Sequence, residues 1–268
     1  MDIKKSEAYK NLVLEMQLRY PIYQKKALAD NKVKLYSPHF NDEMICHEIN
    51  VYTYCQGLDY AVKTPKIKYL LVAQDFGSLL KHGISYIEKI KRINAGDKSI
   101  PYIDDEFLKS SNTTKNLIPL FNILGYDITK RYDELFFTNF CLGYRGGNNG
   151  NGGGMTKKLM TSSADLFKKL CEILEPESIL CLGRVTFECV YKALTGTKYS
   201  IKTNYRDFLE NHSEISVSYG NVQSFIYPLA HCGKMGTIDR NHGLPKQSDP
   251  LYYQKQDWAR IARENKNS

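Results

Sequence analysis

The segment Ile67–Gly77, IKYLLVAQDFG, limits the possible folds of this chain more than any other stretch of the sequence. Apart from Lys68 it is apolar through Ala73, and it then breaks into polar and turn-forming residues. A short apolar run of this kind is typical of a strand that is buried on both faces, as in a parallel sheet. Because open α/β sheets bind ligands beyond the carboxyl ends of their strands, Asp75 is a candidate for chemistry.

The rest of the chain repeats this pattern of short apolar runs separated by helical segments. Further strands are predicted at 134–138 and 178–182, and a hairpin at 215–218 and 222–229. Helices are predicted from Thr113 or Thr114 to a C-terminal Gly125, over 159–174, from Arg184 onward, and over 248–264 with Ser248 as the cap. This alternation predicts an α/β protein, a three-layer α/β/α sandwich around a mainly parallel four-stranded sheet.

The length of 268 residues is sufficient for one large domain or two small ones. We assign residues 67–268 to the α/β/α domain and residues 1–66 to an N-terminal helical extension packed on it. The extension begins with an amphipathic helix, which Ser6 is able to cap. One face of this helix carries Tyr9, Leu12, Val13, Met16 and Tyr20.

Charge and cysteine content narrow the class of protein. The net charge of +8 favours a polyanionic partner, although a lysine-rich surface alone does not establish one. The seven cysteines contain no CxxC pair, so we expect reduced thiols, a cytoplasmic protein and no metal site. The first residues lack an apolar segment after Lys4 and Lys5, and no run approaches membrane-spanning length. We therefore expect neither a secretory leader nor a membrane partner.

Polar groups follow four predicted strands: Gln74 with Asp75, then Asn139, Gly183 with Arg184, and His231. Singly, such residues are often helix caps, turn formers or structural histidines. In a parallel sheet, however, these ends share one edge, so together they predict a site. The Asp can activate water, the Asn can pair with an amide-like ring, and the His can donate to a developing anion. This set suits hydrolysis of an N-glycosidic bond with a pyrimidine leaving group.

Several short segments resemble motifs of the uracil-DNA glycosylase superfamily, and they occur in the family's order between about Ile67 and Asn241. AQDFG at 73–77 is similar to G-Q-D-P-Y, TTKNL at 113–117 to the S-L-x-N-I helix start, and the pair at 138–139 to T-N. LGR at 182–184 matches the L-G-R segment, and HCGKM at 231–235 resembles H-P-S followed by a wedge residue. The resemblance implies a uracil-DNA glycosylase-like fold.

The resemblance also implies roles for individual residues. Asp75 and His231 would be catalytic, the first acting on the attacking water and the second on the pyrimidine oxygen. The base would be bound by Gln74, Phe76 and Asn139. DNA would be bound by Asn116, Arg184, Lys234, Met235 and Arg240, with Met235 as an apolar wedge. Such an enzyme extrudes its target base from the helix. The clustered cysteines of the iron–sulfur members are absent, so we expect no cofactor.

The expected function is therefore hydrolysis of the N-glycosidic bond of uracil or a related damaged base in DNA, by a monomer. The family's Tyr that excludes the thymine methyl is replaced by Gly77, which leaves the preferred base open. Two alternatives remain at this point. One is a non-catalytic relative that binds nucleic acid or a base, and the other is a hydrolase of free nucleosides.

Overall fold

The computed structural model describes residues 3–19, 66–74, 99, 111–141 and 157–267. Within them, the helices are α1 (Ile3–Arg19), α2 (Asn112–Ile123), α3 (Lys157–Leu174), α4 (Arg184–Thr195), α5 (Tyr205–Asn211), α6 (Lys234–Asn241) and α7 (Tyr252–Asn267). The strands are β1 (Tyr69–Ala73), β2 (Leu135–Asn139), β3 (Ser178–Leu182), β4 (Ile215–Tyr219) and β5 (Val222–Leu229). The predicted helix after Ser78 and the glycine-rich segment 143–154 lie outside the described residues.

The strands form one sheet in the order β2-β1-β3-β5-β4. β1, β2, β3 and β5 are parallel, and β4 pairs antiparallel with β5. The α/β class and the mainly parallel sheet are thus confirmed, but the predicted number of four strands is wrong for the described residues, which contain five. The additional strand is the first arm of the predicted hairpin, which joins the edge of the sheet because the turn at Gly220 folds it back onto β5.

Side chains alternate between the two faces of the sheet, and helices cover both. On one face, Leu70 and Val72 of β1 pack in a core with α1, α3, α4 and α5. On the other face, Tyr69 and Leu71 pack in a second core that includes Phe121 of α2 and residues of α7. The near-continuous apolar sequence of the central strands is explained by this burial on both sides.

The ends of α2 and α7 correct two predicted caps. Ser111, not Thr113 or Thr114, precedes α2, and its hydroxyl accepts a hydrogen bond from the Thr114 amide at 3.4 Å. At the other end Gly125 has φ +88° and its amide donates to Asn122, as in a glycine C-cap, which confirms that prediction. Helix α7 begins at Tyr252, four residues beyond the predicted cap Ser248.

Helix α1 is present and packs against α3, with Tyr9 and Leu12 buried as the amphipathic pattern predicts. It begins at Ile3, so Ser6 lies inside the helix and does not cap it. The side chains of Val13, Met16 and Tyr20 lie outside the described residues. None of the helices in the described ranges is long and apolar enough to cross a membrane.

Candidate functional site

The carboxyl ends of the parallel strands meet at one edge of the sheet, as the sequence predicts. Ala73 is in register with Asn139, and Leu182 is in register with Leu229. The chain passes from β1 to β2 on one side and then returns to β3 on the other, so the carboxyl ends of β1 and β3 flank a change in winding direction. Open α/β sheets bind ligands at such a point. Gln74, Asn139, Gly183 and His231 all lie at this edge.

His231 follows the end of β5 and lies beside Gly183, the residue that follows β3. A Cβ atom placed on Gly183 would lie 3.8 Å from His231 Cβ. The Gly233 backbone amide donates a hydrogen bond to His231 Nδ1 at 3.0 Å. Since Nδ1 is the acceptor, the proton of the neutral ring is on Nε2. Burial lowers the pKa of His231, which favours this neutral form. The ring therefore carries one hydrogen-bond donor, Nε2, which makes no hydrogen bond to the described residues.

Two glycines permit the close packing around this histidine. A Cβ on Gly233 would lie 2.9 Å from the imidazole ring and 2.8 Å from Thr113 Oγ1. A Cβ on Gly236 would lie 2.1 Å from the His231 carbonyl oxygen. The first turn of α6 is thus packed directly against the segment that carries the imidazole. The sequence motif suggested a role for Gly233 only by its position, and it gave no signal for Gly236.

The N-termini of three helices, α2, α4 and α6, meet around His231. Gly183 and Gly233 precede α4 and α6 and supply no side-chain cap. The Cys232 thiol contacts the Thr113 carbonyl at 3.7 Å, which places the start of α2 beside the same segment. None of the three helices has an acidic residue in its first turn. Unpaired amides and helix dipoles therefore produce a positive potential here that suits an anion.

Asn139 is the most buried of the described polar residues that were predicted to bind the base, with 7% of its surface exposed. Its side-chain amide makes no hydrogen bond to the described residues. A ligand at this edge is therefore able to hydrogen-bond to the Asn139 side chain. Gln74 is partly buried between it and β3, and its carbonyl accepts a hydrogen bond from Cys141 at 3.1 Å. Asp75 and Phe76 follow directly but lie outside the described residues.

The residues predicted to bind DNA have different environments. Lys234 is exposed, and Met235 is 66% exposed. Arg184 is exposed, but its Nε donates to Glu188 at 2.8 Å and its Nη2 donates to the Ile201 carbonyl. The Asn116 side chain is directed to the protein, since its Nδ2 donates to the Cys232 carbonyl at 2.6 Å.

Arg240 does not fit its predicted role beside DNA phosphates. Only 2% of its surface is exposed, and its Nε and Nη2 donate to the Asp257 carboxylate at 2.8 and 2.9 Å. Glu210 lies 2.7 Å from Nη1. Its charge is thus already balanced inside the protein, where it joins α5, α6 and α7. Burial of Arg240 depends on contacts with distant residues, which the motif could not indicate.

Two exposed apolar residues at this edge were not predicted from the sequence. Ile238 lies one turn after Met235 on α6 and is 48% exposed, and Val185 in the first turn of α4 is 46% exposed. The spacing of Met235 and Ile238, i and i+3 on a helix, places them on one face. That spacing was visible in the sequence, but their exposure was not.

A groove of about 540 Å³ between α1 and α3 is a poorer candidate. It is lined by charges of both signs, including Lys4, Glu15 and Lys169, and the last two form an ion pair at 2.6 Å. The groove also lies beside the C-terminal end of α3, which leads into the N-terminal end of β3. It is therefore at the opposite edge of the sheet from the strand carboxyl ends. Chemistry at the strand carboxyl ends does not reach it.

Comparison with known proteins adds no functional assignment to this geometry. No protein-family model matches the sequence, and a search of curated proteins finds no match.

Proposed function

We propose that the chain hydrolyses the N-glycosidic bond of uracil, or of a related damaged base, after that base has been extruded from DNA. The observation that carries the proposal is the hydrogen bond from the Gly233 amide to His231 Nδ1, at 3.0 Å, beside three helix N-termini. It leaves a neutral imidazole with Nε2–H as a donor in a positively polarised environment. This combination suits a leaving group that becomes an anion without being fully protonated.

In the proposed reaction, the bond between C1′ of the deoxyribose and the pyrimidine nitrogen breaks, and its electron pair leaves with the base. A water oxygen forms the new bond to C1′ and loses a proton. His231 Nε2–H donates to the pyrimidine oxygen on which negative charge develops. Asp75 would orient and deprotonate the water, a role that the resemblance implies and that its position after Gln74 permits.

Recognition of the base is assigned to Asn139, since its amide offers both a donor and an acceptor to a pyrimidine edge. Asn139 and the end of β5 are separated by three strand spacings, about 14 Å. Gln74 lies within this interval, and the Cβ of His231 lies beside Gly183 at the end of β3. A single base together with its sugar fits this distance.

Binding to DNA, and not to a free nucleoside, is favoured by the exposed side chains beside the site. Met235, Ile238 and Val185 present apolar surface, and Lys115 and Lys234 are exposed cations. Proteins that unstack bases commonly insert apolar side chains and contact phosphates with Lys or Arg. A pocket that binds only a free nucleoside would not require these exposed apolar and lysine side chains.

The test is release of uracil from single-stranded and double-stranded oligonucleotides, followed as alkali-labile abasic sites. The wild-type chain is expected to produce them, and Asp75→Asn and His231→Gln are expected to lose most of the activity. His212→Gln, at the exposed end of α5, is the matched control and should retain it.

Three other outcomes would contradict the proposal. Salt-sensitive DNA binding without abasic product from any damaged base would identify a non-catalytic binding protein. Cleavage of free nucleosides with no preference for oligonucleotides would identify a small-molecule hydrolase. Equal activity in the wild type and in His231→Gln would place the chemistry elsewhere.

A further inference from the structure

The segment from His231 to Gly233 connects β5 to α6 and lies outside both the strand ladder and the helix. The carbonyl groups of His231 and Cys232 therefore need other partners. Each accepts a hydrogen bond from a side-chain amide of a neighbouring helix. Gln254 Nε2 donates to the His231 carbonyl at 3.1 Å, and Asn116 Nδ2 donates to the Cys232 carbonyl at 2.6 Å.

The contact of Asn116 is connected directly to the imidazole. The Cys232 carbonyl and the Gly233 amide belong to the same peptide group, which is planar and trans, so they point in opposite directions. Asn116 holds the oxygen of this group, and the amide hydrogen at its other end is donated to His231 Nδ1. Rotation of the peptide group would break both hydrogen bonds together. Donation to the carbonyl also polarises the group and strengthens its N–H as a donor.

The second amide is itself fixed in orientation. Gln254 is 1% exposed, and its Oε1 accepts a hydrogen bond from the Thr237 hydroxyl at 3.0 Å. The Nε2 group is consequently the end that faces the His231 carbonyl. Thr237 lies in α6, so this contact ties the helix to the residue that precedes the peptide group held by Asn116.

We propose that Asn116 is a positioning residue, which fixes the tautomer of His231 through the peptide group between Cys232 and Gly233, with Gln254 as the second anchor. This assigns Asn116 a function different from the DNA contact that the sequence motif implied. Its consequence for catalysis rests on the proposed function, whereas the tautomer is a property of the protein without substrate.

The charged groups in the described helix first turns around His231 favour the same neutral form. The first turns of α2, α4 and α6 contribute Lys115, Arg184 and Lys234 and no acidic residue. Glu188 of α4 is bound to Arg184. Asn116→Ala changes no charged group, including the Asp75 carboxylate that is proposed for the same site. A rise in the pKa of His231 in this variant would therefore report the lost hydrogen-bond relay.

The experiment records the ring nitrogens of His231 in the full-length chain by long-range ¹H–¹⁵N correlation across a pH titration. In the wild type, Nδ1 should be an unprotonated acceptor and Nε2 should carry the proton. In Asn116→Ala, both tautomers should be populated and the pKa should rise toward the ordinary histidine value of about 6.5. Asn122→Ala, on the exposed side of the same helix, is the control and should leave His231 unchanged.

A folded Asn116→Ala protein with an unchanged tautomer and pKa would overturn the proposal. If that variant does not fold, Asn116→Leu decides it, because leucine has a similar shape and no charge but cannot donate to the Cys232 carbonyl. A changed tautomer in a chain that cleaves no DNA would support the positioning role and refute the proposed activity. If the chain is active, Asn116→Ala should lower kcat by about tenfold with little change in KM. A tenfold decrease corresponds to the loss of about one hydrogen bond.

Discussion

The backbone amide of Gly233 donates a hydrogen bond to Nδ1 of His231, at 3.0 Å. The two residues are separated by one position in the sequence, yet this contact determines which ring nitrogen carries the proton. The geometry requires a residue without a Cβ at position 233 and a peptide group that is held in place.

His231 should make stability dependent on pH in the acidic range. Burial lowers its pKa from the ordinary value of 6.5, so the unfolded chain takes up a proton first as the pH falls. The stabilisation is complete above about pH 6.5 and is lost as the pH decreases toward the pKa of the folded protein. Denaturant unfolding at several pH values should show a smaller loss in His231→Gln than in the wild type. If the free energy of unfolding changed equally with pH in the wild type and in His231→Gln, the pH dependence would not come from His231.

Alanine substitutions at the two glycines beside His231 should differ in how much they change the free energy of unfolding. An exposed helical Gly→Ala change normally stabilises by about 1 kcal/mol. At Gly236, however, the new Cβ would lie 2.1 Å from a backbone oxygen, which cannot move away independently. At Gly233 the nearest atoms belong to the side chains of Thr113 and His231.

We therefore expect Gly236→Ala to destabilise more than Gly233→Ala, with the latter costing about 1–3 kcal/mol. Urea unfolding measures both. Gly233→Ala should also disturb the resonances of the His231 ring. A stabilising effect of either substitution would contradict the close packing around His231.

Lys234 should contribute to the salt dependence of DNA binding. It is exposed at the first residue of α6 and has no acidic residue in that turn. If it neutralises one phosphate, Lys234→Gln should reduce the slope of log K against log salt by about 0.9. Lys66→Gln is the control, because that exposed lysine precedes β1 at the opposite edge of the sheet. Equal slopes for the two variants would argue against phosphate contact by Lys234.

Met235 and Ile238 should act on DNA binding without affecting folding. Both are substantially exposed, at 66% and 48%, so truncation to alanine should leave the free energy of unfolding nearly unchanged. If each buries its side chain against DNA, each truncation should weaken binding by about tenfold. Fluorescence anisotropy with a labelled duplex measures this effect, and Gln223→Ala at the far end of β5 provides the comparison. If the variant with both Met235 and Ile238 changed to alanine bound DNA with unaltered affinity, these side chains would not contact DNA.

Arg240 should be important for stability and not for DNA contact. Removal of its buried partner in Asp257→Asn leaves the guanidinium, 2% exposed, with Glu210 as its remaining carboxylate among the described residues. Loss of one member of a buried pair costs about 3–5 kcal/mol. Glu188→Gln, which removes the partner of the exposed Arg184, should cost less than about 1 kcal/mol. Similar values for the two variants, from urea unfolding, would contradict the structural role of Arg240.

The amino-acid sequence determined the elements that depend on neighbouring residues. The bounds of β3, the beginning of α4 at Arg184 and the glycine that ends α2 follow from local patterns of apolar, capping and turn residues. The sequence also predicted that Gln74, Asn139, Gly183 and His231 would share an edge, because parallel strands connected by helices end on the same side. The predicted number of strands was too small because only one of the two strands of the hairpin was counted as part of the sheet.

Only the tertiary structure decided what individual polar side chains do. Asn116 and Cys232 are 116 positions apart, and Arg240 and Asp257 are 17 apart, so no local period relates them. The family resemblance implied that both Asn116 and Arg240 bind DNA, but packing turned one toward a carbonyl and buried the other with carboxylates. The physical reason is that periodicity fixes which face a residue occupies, whereas its hydrogen-bond partners come from other elements and are settled when those elements pack.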